Sequence, residues 1–394
     1  MIFKNFYKYF FVFLACAYPL GQFLTIPLGF INLPEIKIYL IDLLIFIILA
    51  LRLSECIFLK KKYILPPLIK HLFLFVGILF LSWITSLWKF KSEESFVGFL
   101  YLFRFLIYLN FWLVVYDLTR RDSLVWRKFW EKILWWWGIV MAVLGLFQYL
   151  LFPDIRFLSF LGWDLHYYRV TGMFLDPNYL GILFALAILF FINKSIIFPT
   201  ILVIFPFFLT YSRSSYLALF FGIFFFLLIK KRLWLVIVVL ITFIMAIVLL
   251  PRPGGEGVKI ERTVSFFQRV ENWEKAIRIW KRCPILGVGF NNYRYAQHNF
   301  GFLTEEDWRT NHAAAGVDNS FLFVLATSGI LGEIFFWNFW IRVLIFSFRR
   351  SRLLFSSLIA IFIHSFFQNT LFYPWVMLWV WILMGLYFIE RKEQ

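Results

Sequence analysis

Four arginines at the margins of apolar segments, Arg169, Arg213, Arg262 and Arg269, are the side chains best suited to chemistry in this sequence. A guanidinium is a rigid, permanently charged fork that donates two parallel charge-assisted hydrogen bonds to a phosphate. Arg213 lies in Thr210-Tyr211-Ser212-Arg213-Ser214-Ser215, a short turn between two apolar runs. An ionisable group at membrane level is a functional candidate by default. Arg213 and Arg269, with Arg169 or Arg262 as support, could clamp a pyrophosphate. Candidates for proton transfer follow in the same part of the chain: Asp318 first, at the start of an apolar run, then His312 and His298. Each residue also has an ordinary reading. Arg213 could snorkel, Asp318 could cap a helix, and the histidines could be surface residues.

Arg262 and Arg269 belong to a polar interruption from Pro251 to Val317. At roughly 65 residues it is long for a connection inside a hydrophobic bundle. It carries three tryptophans, two of the five histidines and the turn Gly287-Val288-Gly289. From Thr263 the spacing predicts a helix that ends before Pro284. Arg262, Arg269, Trp273, Ala276 and Trp280 then fall on one stripe. An amphipathic helix lying on the membrane surface and an anion-binding helix are compatible readings of that stripe.

The rest of the chain must hold these groups, and it is a membrane protein by composition. Of its 394 residues 62% are hydrophobic and 15% charged, well off the balance of a soluble domain, and mean hydropathy is +0.81. The expected architecture is all-α: a single integral membrane domain over residues 1–394, of roughly twelve transmembrane helices with one long loop, 251–317, inserted between two of them. The spans fall near 8–30, 36–58, 69–88, 95–117, 130–152, 178–193, 196–211, 214–230, 232–250, 319–347, 353–371 and 375–390. A net charge of +17 could suggest nucleic acid in a soluble protein. Here the basic residues collect in alternate loops, at Lys60-Lys61-Lys62, Arg120-Arg121, Lys230-Lys231-Arg232 and Arg349-Arg350. That pattern places both termini in the cytoplasm and the 251–317 loop outside. It calls for membrane lipids as partners and for no nucleic acid. Cys16, Cys56 and Cys283 form no framework, no metal signature is present, and no glycine-rich phosphate loop supports ATP use, so no cofactor is expected.

Three outward segments end in polar clusters just before a span: Asp176-Pro177-Asn178, Ser212-Arg213-Ser214 and Asp318-Asn319-Ser320. Helix N-termini present unpaired N–H groups and the positive end of the dipole, which suits anions. Asp176 is placed as an N-cap with Pro177 at the first helical position.

The ordered set of motifs resembles the O-antigen ligase and O-antigen polymerase family. The set is Arg169-x-Thr-Gly-x-Phe-x-Asp-Pro-Asn178, Ser212-Arg213, Arg269…Trp273…Ala276, Pro284-Ile-Leu-Gly-Val-Gly289, Asp318-Asn319-Ser-Phe-Leu and Thr327-Ser-Gly-Ile-Leu-Gly332, spread over roughly residues 165–345. The resemblance implies a metal-independent glycosyltransferase of the GT-C-like membrane group, in the bacterial plasma membrane. Its donor would be a glycan on undecaprenyl pyrophosphate, and its acceptor a hydroxyl of a glycan, lipid or protein. By that likeness Arg213 and Arg269 hold the pyrophosphate, and the segment of Asp318 supplies the base. Asn178, Trp273 and Asn319 would touch the glycan or acceptor. Ligases of this family usually carry histidine where this chain has Asp318, and aspartate is more at home among polymerase-like members. With Asp318 only orienting the acceptor, His312 would be the base. A different class, a transporter or flippase, stands as the alternative. It would place charge inside the spans, where Asp42, Arg104, Glu333 and Arg342 are the main examples.

Overall fold

The computed structural model describes residues 2–26, 36–161, 165–303, 308–309 and 316–389. The chain is an all-α membrane protein with a minor two-stranded hairpin. Helix α1 is Ile2–Ala17, followed by β1 (Thr25–Ile26) and β2 (Ile38–Tyr39), then α2 (Leu40–Phe58), α3 (Ile69–Ser86), α4 (Ser92–Arg121) and α5 (Ser123–Leu151). The second half begins with α6 (Pro177–Lys194), α7 (Ile197–Phe208), α8 (Arg213–Ile229) and α9 (Trp234–Leu249). The polar interruption folds into α10 (Val264–Arg282) and α11 (Tyr293–Asn299), and α12 (Ser320–Arg350), α13 (Arg352–Ser365) and α14 (Pro374–Tyr387) complete the bundle.

Each of the twelve apolar segments read from the sequence overlaps a helix. Five of these helices, α3, α4, α5, α6 and α12, are long and apolar enough to cross a membrane, while α7, α8, α9, α13 and α14 are shorter. The first segment departs most from expectation. Pro19 enters a 3-10 turn, Tyr18–Phe23, and β1 pairs antiparallel with β2, so α1 stops at Ala17 and does not run on to residue 30. A proline has no amide hydrogen to continue the ladder.

Helix α6 is buried along almost its whole length and packs against α5, α7, α8 and α13. Small residues let its neighbours approach. A side chain on Gly222 of α8 would stand 3.3 Å from Ala360 and 3.4 Å from the Ser356 carbonyl of α13, the close backbone contact that stabilises helix pairs in lipid. Charges on α2 and α4 form ion pairs within the bundle. Arg104 meets Asp42 at 2.8 Å, and Arg52, 2% exposed, bridges Glu55 at 2.7 Å and Asp117 at 2.8 Å.

Helix α12 is broken at Gly329 (φ 66°, ψ −169°). The segment Pro284–Gly289 crosses the break and supplies the missing partners. Val288 and Gly289 donate to the carbonyls of Ala326 and Thr327 at 3.1 and 3.0 Å, and Ile330 donates to Pro284 at 2.9 Å. The fit is tight enough to exclude any side chain. A Cβ on Gly329 would lie 2.2 Å from the Ile285 carbonyl oxygen, and one on Gly287 (φ 69°) 2.3 Å from the Thr327 carbonyl carbon. Gly287→Ala and Gly329→Ala should each lower the thermal unfolding midpoint of the detergent-purified protein, losing about 1–3 kcal/mol to the left-handed backbone alone. Gly77→Ala on α3 meets nothing within 4 Å and should leave the midpoint unchanged or raise it.

Candidate functional site

The N-termini of α6, α8 and α12 are tied into one polar floor. Asp176 caps α6, accepting from the amides of Asn178 and Tyr179 at 2.6 and 3.2 Å, with Pro177 at the first position. Ser212 caps α8, and its hydroxyl reaches the Asn178 side-chain carbonyl at 2.9 Å. The Ser215 hydroxyl donates to the Asn178 backbone carbonyl at 3.1 Å. Asn319 caps α12, accepting from Phe321 and Leu322 at 2.9 and 3.0 Å, while its amide donates to the Phe366 carbonyl at 3.2 Å. The start of α14 joins them through Tyr373, which stacks on Tyr179 with ring centroids 3.8 Å apart. Four positive helix ends therefore share one end of the bundle.

The four arginines converge on this floor. Arg169 is buried and donates to the Thr210 carbonyl at 2.9 Å. Burial and the neighbouring Arg262 push its pKa down to about 9. Arg262, lowered to about 10 by burial and by Arg213 and Arg269, donates to the carbonyls of Gly257 and Lys259 at 2.7 and 2.8 Å and of Tyr211 at 3.2 Å. Arg213 donates to the Arg262 carbonyl at 2.9 Å, to the Ile260 carbonyl at 3.2 Å and to the Ser265 hydroxyl at 2.8 Å. Arg269, one side of α10, is half-buried and lies within electrostatic reach of the other three. Among the described residues none of the four is ion-paired, and Arg269 makes no hydrogen bond. Like charges gathered without a carboxylate partner favour an anion between them. His166, also buried here, is held neutral: burial, Arg169 and Arg262 bring its pKa down to about 3.

Helix α10 docks on the mouth of α12 beside Asp318. The Trp273 indole donates to the Asp318 carbonyl at 3.1 Å, and the Asp318 amide donates to the Asn272 side chain at 2.9 Å. Since Asn319 is the cap, the Asp318 carboxylate is not spent on that task. It lies within electrostatic reach of the Tyr179 and Tyr293 hydroxyls. Tyr293 is fully buried and its hydroxyl has no hydrogen-bond partner among the described residues. Burial, then Asp318, pushes its phenol up. His298 stacks on Trp308 at 4.2 Å, on the other part of the interruption. His312 lies outside the described residues.

Residues 198–337 match the family model described as O-Antigen ligase. The resemblance to O-antigen ligases read from the motifs is borne out over this segment, which runs from α7 into α12 and carries Arg213, Arg262, Arg269, Trp273 and Asp318. No match is found among curated proteins. Outside the segment that matches this family model the structure brings in a further residue. His364, fully buried at the end of α13, has Nδ1 2.6 Å from the Thr370 hydroxyl and Nε2 3.3 Å from that of Ser215. Its signal was present, since a histidine within an apolar span is unusual. Tyr373 and Tyr179 were hidden among many aromatics.

Inorganic pyrophosphate at a hundredfold excess over its dissociation constant should therefore stabilise the purified protein by about 2.7 kcal/mol and raise its melting midpoint. Arg269→Ala should remove most of that stabilisation, measured by the same thermal scan, while leaving the midpoint without anion equal or higher, because one repelling charge is gone.

Proposed function

We propose that the protein transfers a glycan from undecaprenyl pyrophosphate to an acceptor hydroxyl at the outer face of the bacterial plasma membrane, as an O-antigen polymerase or ligase. The observation that carries this reading is the convergence of Arg169, Arg213, Arg262 and Arg269 on a floor of helix N-termini within and beside the O-antigen ligase segment. The alternation of basic loops supports the outer-face placement of the site.

In this mechanism Arg269 and Arg213 engage the pyrophosphate, with Arg262 and Arg169 behind them. Asp318 accepts the proton of the acceptor hydroxyl, whose oxygen attacks the anomeric carbon. The bond from that carbon to the pyrophosphate oxygen breaks, and its electron pair leaves with the lipid pyrophosphate. The arginines stabilise that leaving charge, so the reaction proceeds without a metal. Tyr179 and Tyr293 lie within electrostatic reach of Asp318, which sets two phenols beside the proposed base. Asn178, Trp273 and Asn319 shape the acceptor side.

Transfer from an undecaprenyl-pyrophosphate glycan by the purified enzyme should fall about 10²–10³-fold in Arg269→Ala and in Asp318→Asn, the usual scale for loss of one charge-stabilising or proton-transferring group. Undiminished transfer by both Arg213→Ala and Arg269→Ala would sink the pyrophosphate clamp. Glycans of a deletion strain separate the two activities: retained single units with lost chain length mean polymerase, and free polymer on its carrier means ligase.

A further inference from the structure

The loop between α5 and α6 delivers His166 to the arginine cluster, and the loop is pinned on several sides. Ile155 donates to the His166 carbonyl at 3.2 Å, Tyr168 donates to the Pro153 carbonyl at 2.8 Å, and Asp154 and Tyr167 form an antiparallel bridge. Val170 donates to the Leu209 carbonyl at 2.9 Å, which ties the loop to the turn before α8. The segment leading to α10 closes over the same loop, since a side chain on Gly257 would stand 3.0 Å from Arg169 Cδ. Arg169 and Arg262 then meet at one atom: both donate to the Tyr211 carbonyl, at 3.5 and 3.2 Å.

His166 lies three residues before Arg169 and within electrostatic reach of both guanidinium groups. It is 9% exposed, and its Nε2 is buried with no hydrogen-bond partner among the described residues. A buried imidazole nitrogen left alone is rare, because either tautomer gives up a hydrogen bond to water.

The groups around the ring are committed to other atoms. Arg169 and Arg262 direct their N–H groups at the carbonyls of Thr210, Tyr211, Gly257 and Lys259. Asp154 pairs with Arg156 at 2.6 Å, the Asp176 carboxylate caps α6, and Glu256 pairs with Lys259. The Tyr216 hydroxyl, which also faces Arg169 and Arg262, donates to the Phe208 carbonyl. A phosphate oxygen supplies what is missing. It accepts from Nε2–H, and its charge offsets the two guanidinium groups beside the ring.

We propose that His166 is a fifth ligand of the pyrophosphate, its Nε2–H donating to a phosphate oxygen on the Arg169 and Arg262 side of the clamp. The inference rests on the glycan-transfer reading and deepens it, adding a group that can carry a proton to four that cannot. Burial, Arg169 and Arg262 bring the pKa of the ring down to about 3, so the free protein holds it neutral. A bound anion cancels the arginine charge at the ring and favours the imidazolium. The pKa of His166 is therefore higher in the complex, and the linkage has one sign. Affinity rises as pH falls through the raised pKa, and above that pKa the gain is lost. Recovery of the ordinary histidine value of about 6.5 gives a gain of about tenfold one pH unit below it.

The test titrates inorganic pyrophosphate into the full chain in nanodiscs by calorimetry, from about pH 8 to about pH 5.5. His166→Gln keeps an N–H donor and cannot titrate, so the titration of pyrophosphate itself cancels from the ratio of the two dissociation constants. His166→Gln should bind like the wild type at the alkaline end and fall about tenfold behind at the acid end, equivalent to ~1.4 kcal/mol. His166→Ala should bind more weakly than the wild type throughout. His71→Gln, at the start of α3 and bonded to Asn338, should keep the wild-type profile. A ratio of wild type to His166→Gln that stays constant with pH overturns the proposal, as does His166→Ala binding equal to the wild type. In wild-type protein labelled with nitrogen-15 histidine, pyrophosphate should turn one imidazole signal, absent from either His166 variant, from neutral to imidazolium at about pH 6. A His166 signal unmoved by saturating pyrophosphate also overturns it. Binding that Arg269→Ala abolishes but both His166 variants leave intact refutes the histidine ligand and spares the clamp. Binding that depends on His166, in a preparation that transfers no glycan, refutes the transfer reading and leaves the histidine ligand standing.

Discussion

A helix in hydrocarbon cannot leave backbone donors and acceptors bare, since each unpaired group costs several kcal/mol. The break in α12 at Gly329 is tolerable only because Pro284–Gly289 threads across it and satisfies the ladder. That one repair fixes much else. It anchors the far end of α10, and so sets where Arg269 and Trp273 stand relative to Asp318 at the mouth of the same helix. It also ties in α3, whose Ser82 hydroxyl donates to the Thr327 carbonyl at 2.6 Å. The polar interruption is thereby part of the bundle, joined to it by backbone hydrogen bonds.

At the near end of α10 the attachment is electrostatic. Arg213 and Arg262 spend their guanidinium groups on carbonyls of residues 257–262 and on Ser265, hydrogen bonds worth about 1.5–3 kcal/mol each when one partner is charged. These arginines therefore have two tasks. They hold the approach to α10 in place, and they build a region of positive potential with Arg169. Arg269 contributes charge without any such tether, which makes it the member of the cluster with the most freedom to meet a ligand.

Much of this was legible because it follows from residue type and local chemistry. Asp176 and Pro177 read correctly as a helix start, since the aspartate side chain has few better uses than capping there. The α10 helix and the Arg269–Trp273 stripe followed from periodicity. Asp318 was harder: adjacent Asp and Asn can each cap, and only the backbone directions show that Asn319 does so. The hairpin Thr25–Tyr39 escaped notice because an apolar run reads as helix until its partner strand is known. The His364–Ser215 contact, 149 residues apart in sequence, and the Tyr179–Tyr373 stack join distant parts of the chain, which no local pattern encodes.

Helix α9 leads directly into the segment that Arg213 and Arg262 grip, yet it buries none of its own residues. One stripe packs on its neighbours, including Phe243 against Phe208 of α7 and Phe220 of α8. The rest is solvated by lipid. Its height in the bilayer is accordingly set in part by the match between its 16 residues and the local hydrocarbon thickness, at a modest cost per ångström of mismatch. The physical state of the surrounding membrane thus becomes one of the forces acting on the arginine cluster.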